Sequence, residues 1–140
     1  MSRQTVSSGG PYEAKYGYAR AVKVGSYIAV SGTTATGAGG TVVGAGDPYA
    51  QMRQALATIE DALERCGASV RDVIRTRTYT TDIARWPEIA RAHAEVFGDV
   101  RPAATLVEVK ALIHPDMLIE IEVDAVAGGG AERTDGAPAG

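Results

Sequence analysis

The sequence has few of the residues that hold metals or form crosslinks. It contains one cysteine, Cys66, and two histidines, His93 and His114. A lone cysteine excludes an internal disulfide, and these three residues lack the number and spacing of a zinc site. No metal and no cofactor are expected. Lys and Arg form no run, and the formal charge is -3, so the electrostatic footprint that neutralises nucleic-acid phosphates is missing. No apolar stretch approaches the ~20 residues of a membrane span, and no charged-then-apolar leader is legible. These absences predict a cytoplasmic protein with neither nucleic acid nor membrane as partner. No GxSxG elbow marks a serine nucleophile. Gly37, Gly39 and Gly40 run into a β-branched stretch without lysine, as a hairpin tip does and a phosphate loop does not.

What is present is enough for one core. A chain of 140 residues is the size of a single domain. Residues 18–24 and 27–30 are rich in Val, Ile and Tyr and are broken by Gly25-Ser26, which predicts two strands joined by a tight turn. Residues 41–43 are predicted as a short third strand. Asp47-Pro48 is an N-cap followed by proline at the first helical position. From there Met52, Leu56, Ile59, Leu63 and Cys66 form one apolar stripe, with Gln51, Gln54, Thr58, Asp61 and Arg65 on another face, and Gly67 ends the helix. Cys66 reads as a small core residue.

Residues 73–81 alternate as a strand and put Arg75, Arg77 and Tyr79 on one face. Pro87 begins a second helix whose predicted buried side is Trp86, Ile89, Ala90, His93, Val96 and Phe97. His93 within that stripe reads as a core histidine or a cleft-facing acid or base. Strands are predicted over 104–109 and 117–127. In the last, Leu118, Glu120, Glu122 and Asp124 share one face and Met117, Ile119, Ile121 and Val123 the other. The acids are either the solvent side of a sheet or, for one of them, a group in a cleft where burial raises its pKa for proton transfer. Residues 128–140 have no large apolar side chain and are expected as a disordered tail behind a domain of residues 1–127. The pattern is α+β: a mixed sheet with two helices on one face.

Two segments carry a family resemblance. Tyr18-Ala19-Arg20-Ala21-Val22-Lys23-Val24-Gly25, with Ile28-Ala29-Val30-Ser31-Gly32, resembles the opening strands of the RidA (YjgF) family. Arg101-Pro102-Ala103-Ala104-Thr105-Leu106-Val107-Glu108-Val109, followed by Ile119-Glu120-Ile121-Glu122, is similar to its C-terminal signature. The resemblance implies a chorismate-mutase-like homotrimer with a small-molecule ligand in each cleft between subunits. It also implies hydrolysis of reactive imines or enamines, such as 2-aminoacrylate, to a keto acid and ammonia. By position, Tyr18 matches the family's cleft tyrosine, Ser31 and Gly32 its Ser-Gly pair, and Glu120 its cleft glutamate, the expected catalytic residue. Backbone groups at Ser31-Gly32 and around Thr105 would bind substrate oxygen. The resemblance breaks at Ala104, where deaminating members carry the arginine that anchors a substrate carboxylate. This points to an electrophile outside the usual amino-acid-derived set, or to a non-catalytic metabolite-binding trimer. RNA cleavage, attached to some relatives, is disfavoured by the acidic balance. Arg20, Arg75 or Arg101 could replace the missing anchor, though each reads first as a surface or interface ion pair.

Overall fold

The computed structural model describes residues 1–131. Six strands, β1 (Arg3–Val6), β2 (Ala21–Val24), β3 (Tyr27–Thr33), β4 (Val73–Thr80), β5 (Ala103–Glu108) and β6 (Ile119–Val126), alternate with α1 (Glu13–Tyr16), α2 (Pro48–Arg65) and α3 (Trp86–Phe97). They form one sheet in the order β1-β2-β3-β6-β4-β5, antiparallel throughout except for the β4–β5 pair. A parallel pair needs a long crossover, which α3 supplies between β4 and β5. Helix α2 joins β3 to β4, between which β6 is inserted. Both crossovers step the same way along the sheet. The right-handed rule therefore puts both helices on the same face, as expected for this α+β class.

Strand β6 shows how the layers separate. Ile119, Ile121, Val123 and Ala125 are 0–1% exposed, whereas Glu120, Glu122 and Asp124 between them are half-buried on the open face. The buried row packs with Ile28 and Val30 of β3, the Met52-to-Leu63 stripe of α2, and Ile89, Ala92 and Phe97 of α3. Each large aliphatic side chain in this core contributes about 1.5–3 kcal/mol. On β4 the helix-facing row is Thr76, Thr78 and Thr80, all buried. Cys66 lies in the core, where burial pushes its thiol pKa up and keeps it protonated. No described helix is long and apolar enough to cross a membrane.

The structure corrects several local expectations. Residues 41–43 form no strand and contribute only the isolated bridge Thr36–Val42. The third strand preceding the long helix is instead β1, at the N-terminus. Residues 18–20 precede β2 rather than belonging to it. Trp86, placed at the start of α3, is exposed and does not join the buried side. Gln51 leaves the predicted polar face and is 0% exposed. Its amide donates to the carbonyls of Asp116 (2.8 Å) and Gly44 (3.1 Å) and accepts from the Leu118 N–H (2.8 Å), tying two loops to α2. Of the expected tail, Gly128–Ala131 is described: Ala131 N–H donates to the Arg71 carbonyl at 2.8 Å, and the Arg71 guanidinium donates to the Ala131 carbonyl at 2.5 Å. The remainder, 132–140, lies outside the described residues.

Candidate functional site

Strand β3 slips register against β6 between Val30 and Thr33, and Gly32 lies at that irregularity. The slip lets Glu120 lay its side chain along the Gly32 backbone. A Cβ at position 32 would collide with the Glu120 carboxylate, so a side chain there would displace the carboxylate from its present position. Glu120 stands on the floor of a cavity of about 500 Å³ that also includes Tyr12, Tyr18, Arg20, Gly32 and Ile113. Its carboxylate takes part in no hydrogen bond among the described residues. Burial raises its pKa above the usual carboxyl value, with Arg20 pulling it back and Glu122 adding to the rise.

Arg20 also lines the cavity, at the same Gly32 backbone. It is 9% exposed and fully engaged on one side: Nε donates to Glu13 Oε2 at 3.3 Å, and Nη1 to the Gly32 carbonyl (2.7 Å) and to Thr33 Oγ1 (3.0 Å). Glu13, from α1, is only 2% exposed. Burial pushes the Glu13 pKa up. The hydroxyls of Ser8 and Ser7, the Ser8 N–H and the Arg20 charge outweigh that effect and hold it below the usual range. Arg20 and Glu13 therefore form a buried, ionised pair that folds the segment before β2 onto the end of β3.

Three of the five site residues expected from sequence come together here: Tyr18, 42% exposed at the rim, Gly32 and Glu120. Ser31 does not face the cavity with its hydroxyl, which donates to the Ala19 carbonyl at 2.6 Å and fixes the segment between Tyr18 and Arg20. Thr105 lies elsewhere, on β5, in register with Arg77. It borders a smaller cavity of about 210 Å³ that also includes Ala104, Thr76 and His93. There His93 Nε2 and Thr76 Oγ1 share a 2.9 Å hydrogen bond, and burial lowers the imidazole pKa, favouring the neutral ring.

Of the candidate arginines, Arg20 is the one that reaches the Glu120 cavity, and its ion pair belongs to the cavity wall rather than to the surface. Arg75 and Arg101 are exposed and do not border it. Sequence reading missed Glu13 and Tyr12. The available signal was the Gly9-Gly10-Pro11 turn, which brings an acidic residue back towards the Tyr18–Arg20 segment. Among the described residues no cluster of three or more His, Cys, Asp or Glu could hold a metal ion.

Comparison with known proteins gives a consistent picture. A family model described as endoribonuclease L-PSP matches residues 11–127. The uncharacterised protein SCO2049 of Streptomyces coelicolor is 40% identical over 88% of this chain and 91% of its own length. The 3-aminoacrylate deaminase RutC of Acinetobacter baylyi is 38% identical over 74% of this chain and 82% of its own. Among solved structures, Rv2704 of Mycobacterium tuberculosis, described as a member of the highly conserved YjgF/YER057c/UK114 family, is 48% identical. It superimposes with a TM-score of 0.82 over 90% of this chain and 100% of that one.

Proposed function

The chain belongs to the endoribonuclease L-PSP family, the YjgF/RidA group, and on that premise we propose that it hydrolyses a small reactive imine or enamine, with Glu120 handling protons. The observation that carries this reading is the half-buried Glu120 carboxylate, free of hydrogen bonds among the described residues and raised in pKa, at the floor of a cavity of about 500 Å³. A general base works best when its pKa lies near the working pH, and burial moves Glu120 in that direction. The likeness to a 3-aminoacrylate deaminase supports deaminase-type chemistry in general terms.

The step balances without a cofactor. Water adds its oxygen to the carbon of a protonated C=N group and gives a proton to the Glu120 carboxylate, forming a carbinolamine. Glu120 returns the proton to nitrogen, and the C–N bond breaks with its electron pair leaving on ammonia. The hydroxyl proton passes to Glu120 as the carbonyl forms, and Glu120 then releases it. The sum is imine plus water to carbonyl plus ammonia.

We place the complete site between copies of the chain in a cytoplasmic homotrimer. Tyr18, Gly32 and Glu120 come from one copy, and the Thr105 backbone comes from the β5 strand of the next. Support comes from the separation of the two cavities within one chain and from the exposure of β5 along nearly its whole length. The test is ammonia release from imines generated in situ by an amino-acid oxidase. Turnover above the buffer background, reduced about 10²- to 10⁴-fold in Glu120→Gln, is the expected result. Ligand binding without any turnover would instead favour the metabolite-binding reading that Ala104 raises.

A further inference from the structure

The cavity around Glu120 mixes apolar side chains with Thr33, Thr34, Gln54, Thr58 and Asp61, and its one guanidinium is already paired with a carboxylate. In the single chain the cavity has a volume of about 500 Å³, in the range of sites for drug-sized ligands. Pro11, Tyr12, Tyr18, Ile113 and Met117 supply aromatic and aliphatic surface. Ile113 is 85% exposed in the isolated chain, an apolar side chain with no partner of its own. Arg20 is the only Lys or Arg among the described lining residues. Its Nε is held by Glu13 and its Nη1 by Gly32 and Thr33, while no described hydrogen bond engages Nη2. A second carboxylate entering this cavity would find the Arg20 charge already offset by Glu13 and a further acid, Glu120, beside it. Like charges at short range in a partly dry site disfavour each other strongly. Position 104, where an arginine would serve a substrate carboxylate, is alanine and borders the other cavity.

We propose that this cavity selects imines that carry a bulky aromatic or aliphatic group and no carboxylate, and that Glu13 sets this preference by neutralising the Arg20 charge. The inference rests on the hydrolase reading above and adds its substrate class. In it, the apolar group lies against Tyr12, Tyr18 and Ile113, the C=N carbon sits beside Glu120, and Arg20 acts as part of the wall. Glu13 is a specificity-determining residue that touches no reacting atom.

Two imines that differ only in a carboxylate make the test. An amine oxidase acting on 2-phenylethylamine yields the imine of phenylacetaldehyde, and an L-amino-acid oxidase acting on phenylalanine yields 2-imino-3-phenylpropanoate. Each is hydrolysed by one water to its carbonyl compound and one ammonia. The wild-type chain is expected to favour the carboxylate-free imine by about tenfold or more in kcat/KM, since one charge-assisted hydrogen bond made or missing is worth about that factor. In Glu13→Gln, which removes the negative charge paired with Arg20, the ratio moves towards the imino acid by a similar factor. Circular dichroism and a melting curve check that the variant is folded. If it is not, the wild-type ratio alone decides. A wild-type preference for the imino acid overturns the inference and leaves the hydrolase reading standing. Hydrolysis of neither imine above background overturns both.

Discussion

Glu120 lies against the Gly32 backbone, so its ionised form is held in the folded chain with part of its hydration lost and no described hydrogen bond in exchange. Its folded pKa is raised, meaning that the folded state binds the proton more tightly than the unfolded chain does. Below the ordinary value of 4.5 the group is neutral in both states and the advantage of the protonated form is fully present; as pH rises through 4.5 towards the folded pKa that stability is lost. Glu120→Gln removes the titration. The variant is therefore expected to melt above wild type at pH 7, by a few degrees, about 2–4 °C for each kcal/mol, with the gain shrinking below pH 4.5. Equal melting temperatures at pH 7 would show that the carboxylate is better solvated than its surroundings imply. His93 follows the opposite course. Its folded pKa is depressed by burial, so the unfolded chain takes up a proton first, and stability falls as pH drops below the ordinary imidazole value of 6.5. His93→Gln can still reach Thr76 and should flatten that fall. Melting curves at pH 7.5 and pH 5.5 check it, and an unchanged pH dependence would assign the loss to another group.

Helix α2 was legible because three independent signals agreed: the Asp47 side chain accepts from the Ala50 N–H at 3.0 Å, Pro48 follows the cap, and Gly67 takes φ 78° at the stop. Gly67→Ala forces a Cβ into the left-handed region and is expected to lower stability by about 1–2 kcal/mol, as read from urea unfolding. The added methyl meets only the Lys23 ammonium, at 3.9 Å, so the loss is conformational rather than steric. Strands β4 and β6 were legible for a similar reason: alternation over eight residues outlasts local exceptions. Helix α1, four residues long, is too short to show a period, and β1 reads Arg-Gln-Thr-Val, which is polar at three of its positions because its role is to pair with β2. Gln51 could not be placed from composition, because an amide on a helix is ordinarily exposed. Only the arrival of two loops at the same turn of α2 makes its burial favourable. Gln51→Ala should lower stability by about 3 kcal/mol, since it leaves three backbone groups without their partner. A loss under 1 kcal/mol would mean that water replaces the amide. Strand alternation put Glu120 on one face with Glu122 and Asp124, and the family resemblance singled it out, whereas the Glu13–Arg20 pair was not legible: it depends on the chain before β2 folding back over the end of β3, and no periodic pattern encodes that.

The molecule as a whole leaves one sheet face uncovered. Tyr79 and Tyr27 donate to Glu122 and Asp124, with the Tyr27 bond at 2.9 Å, and Arg77 pairs with Asp124 at 3.2 Å, so part of the polar row on β4 and β6 is internally matched. Tyr27, Ile74 and Val107 nonetheless remain more than 40% exposed, and β5 is bare along nearly its whole length. Exposed apolar side chains beside the paired Tyr27, Arg77, Tyr79, Glu122 and Asp124 suit a contact between copies, because those polar groups enter it already satisfied. For the homotrimer proposed above, the expected mass by light scattering at micromolar concentration is three times the 14.5 kDa of one chain. Val107 lies at the middle of the exposed β5 strand, in register with Tyr79, which is itself opposite Glu120. A charge placed there by Val107→Glu would stand in the proposed contact and beside two other acids. The variant should retain the fold by circular dichroism, because Val107 is absent from the core, and should run as a single chain. If Thr105 and Glu120 serve one cleft from different copies, hydrolysis falls to background at the same time. A folded, monomeric Val107→Glu protein that still hydrolyses the imine would place the whole site within one chain, and the cavity at Glu120 would then act without its neighbour's β5.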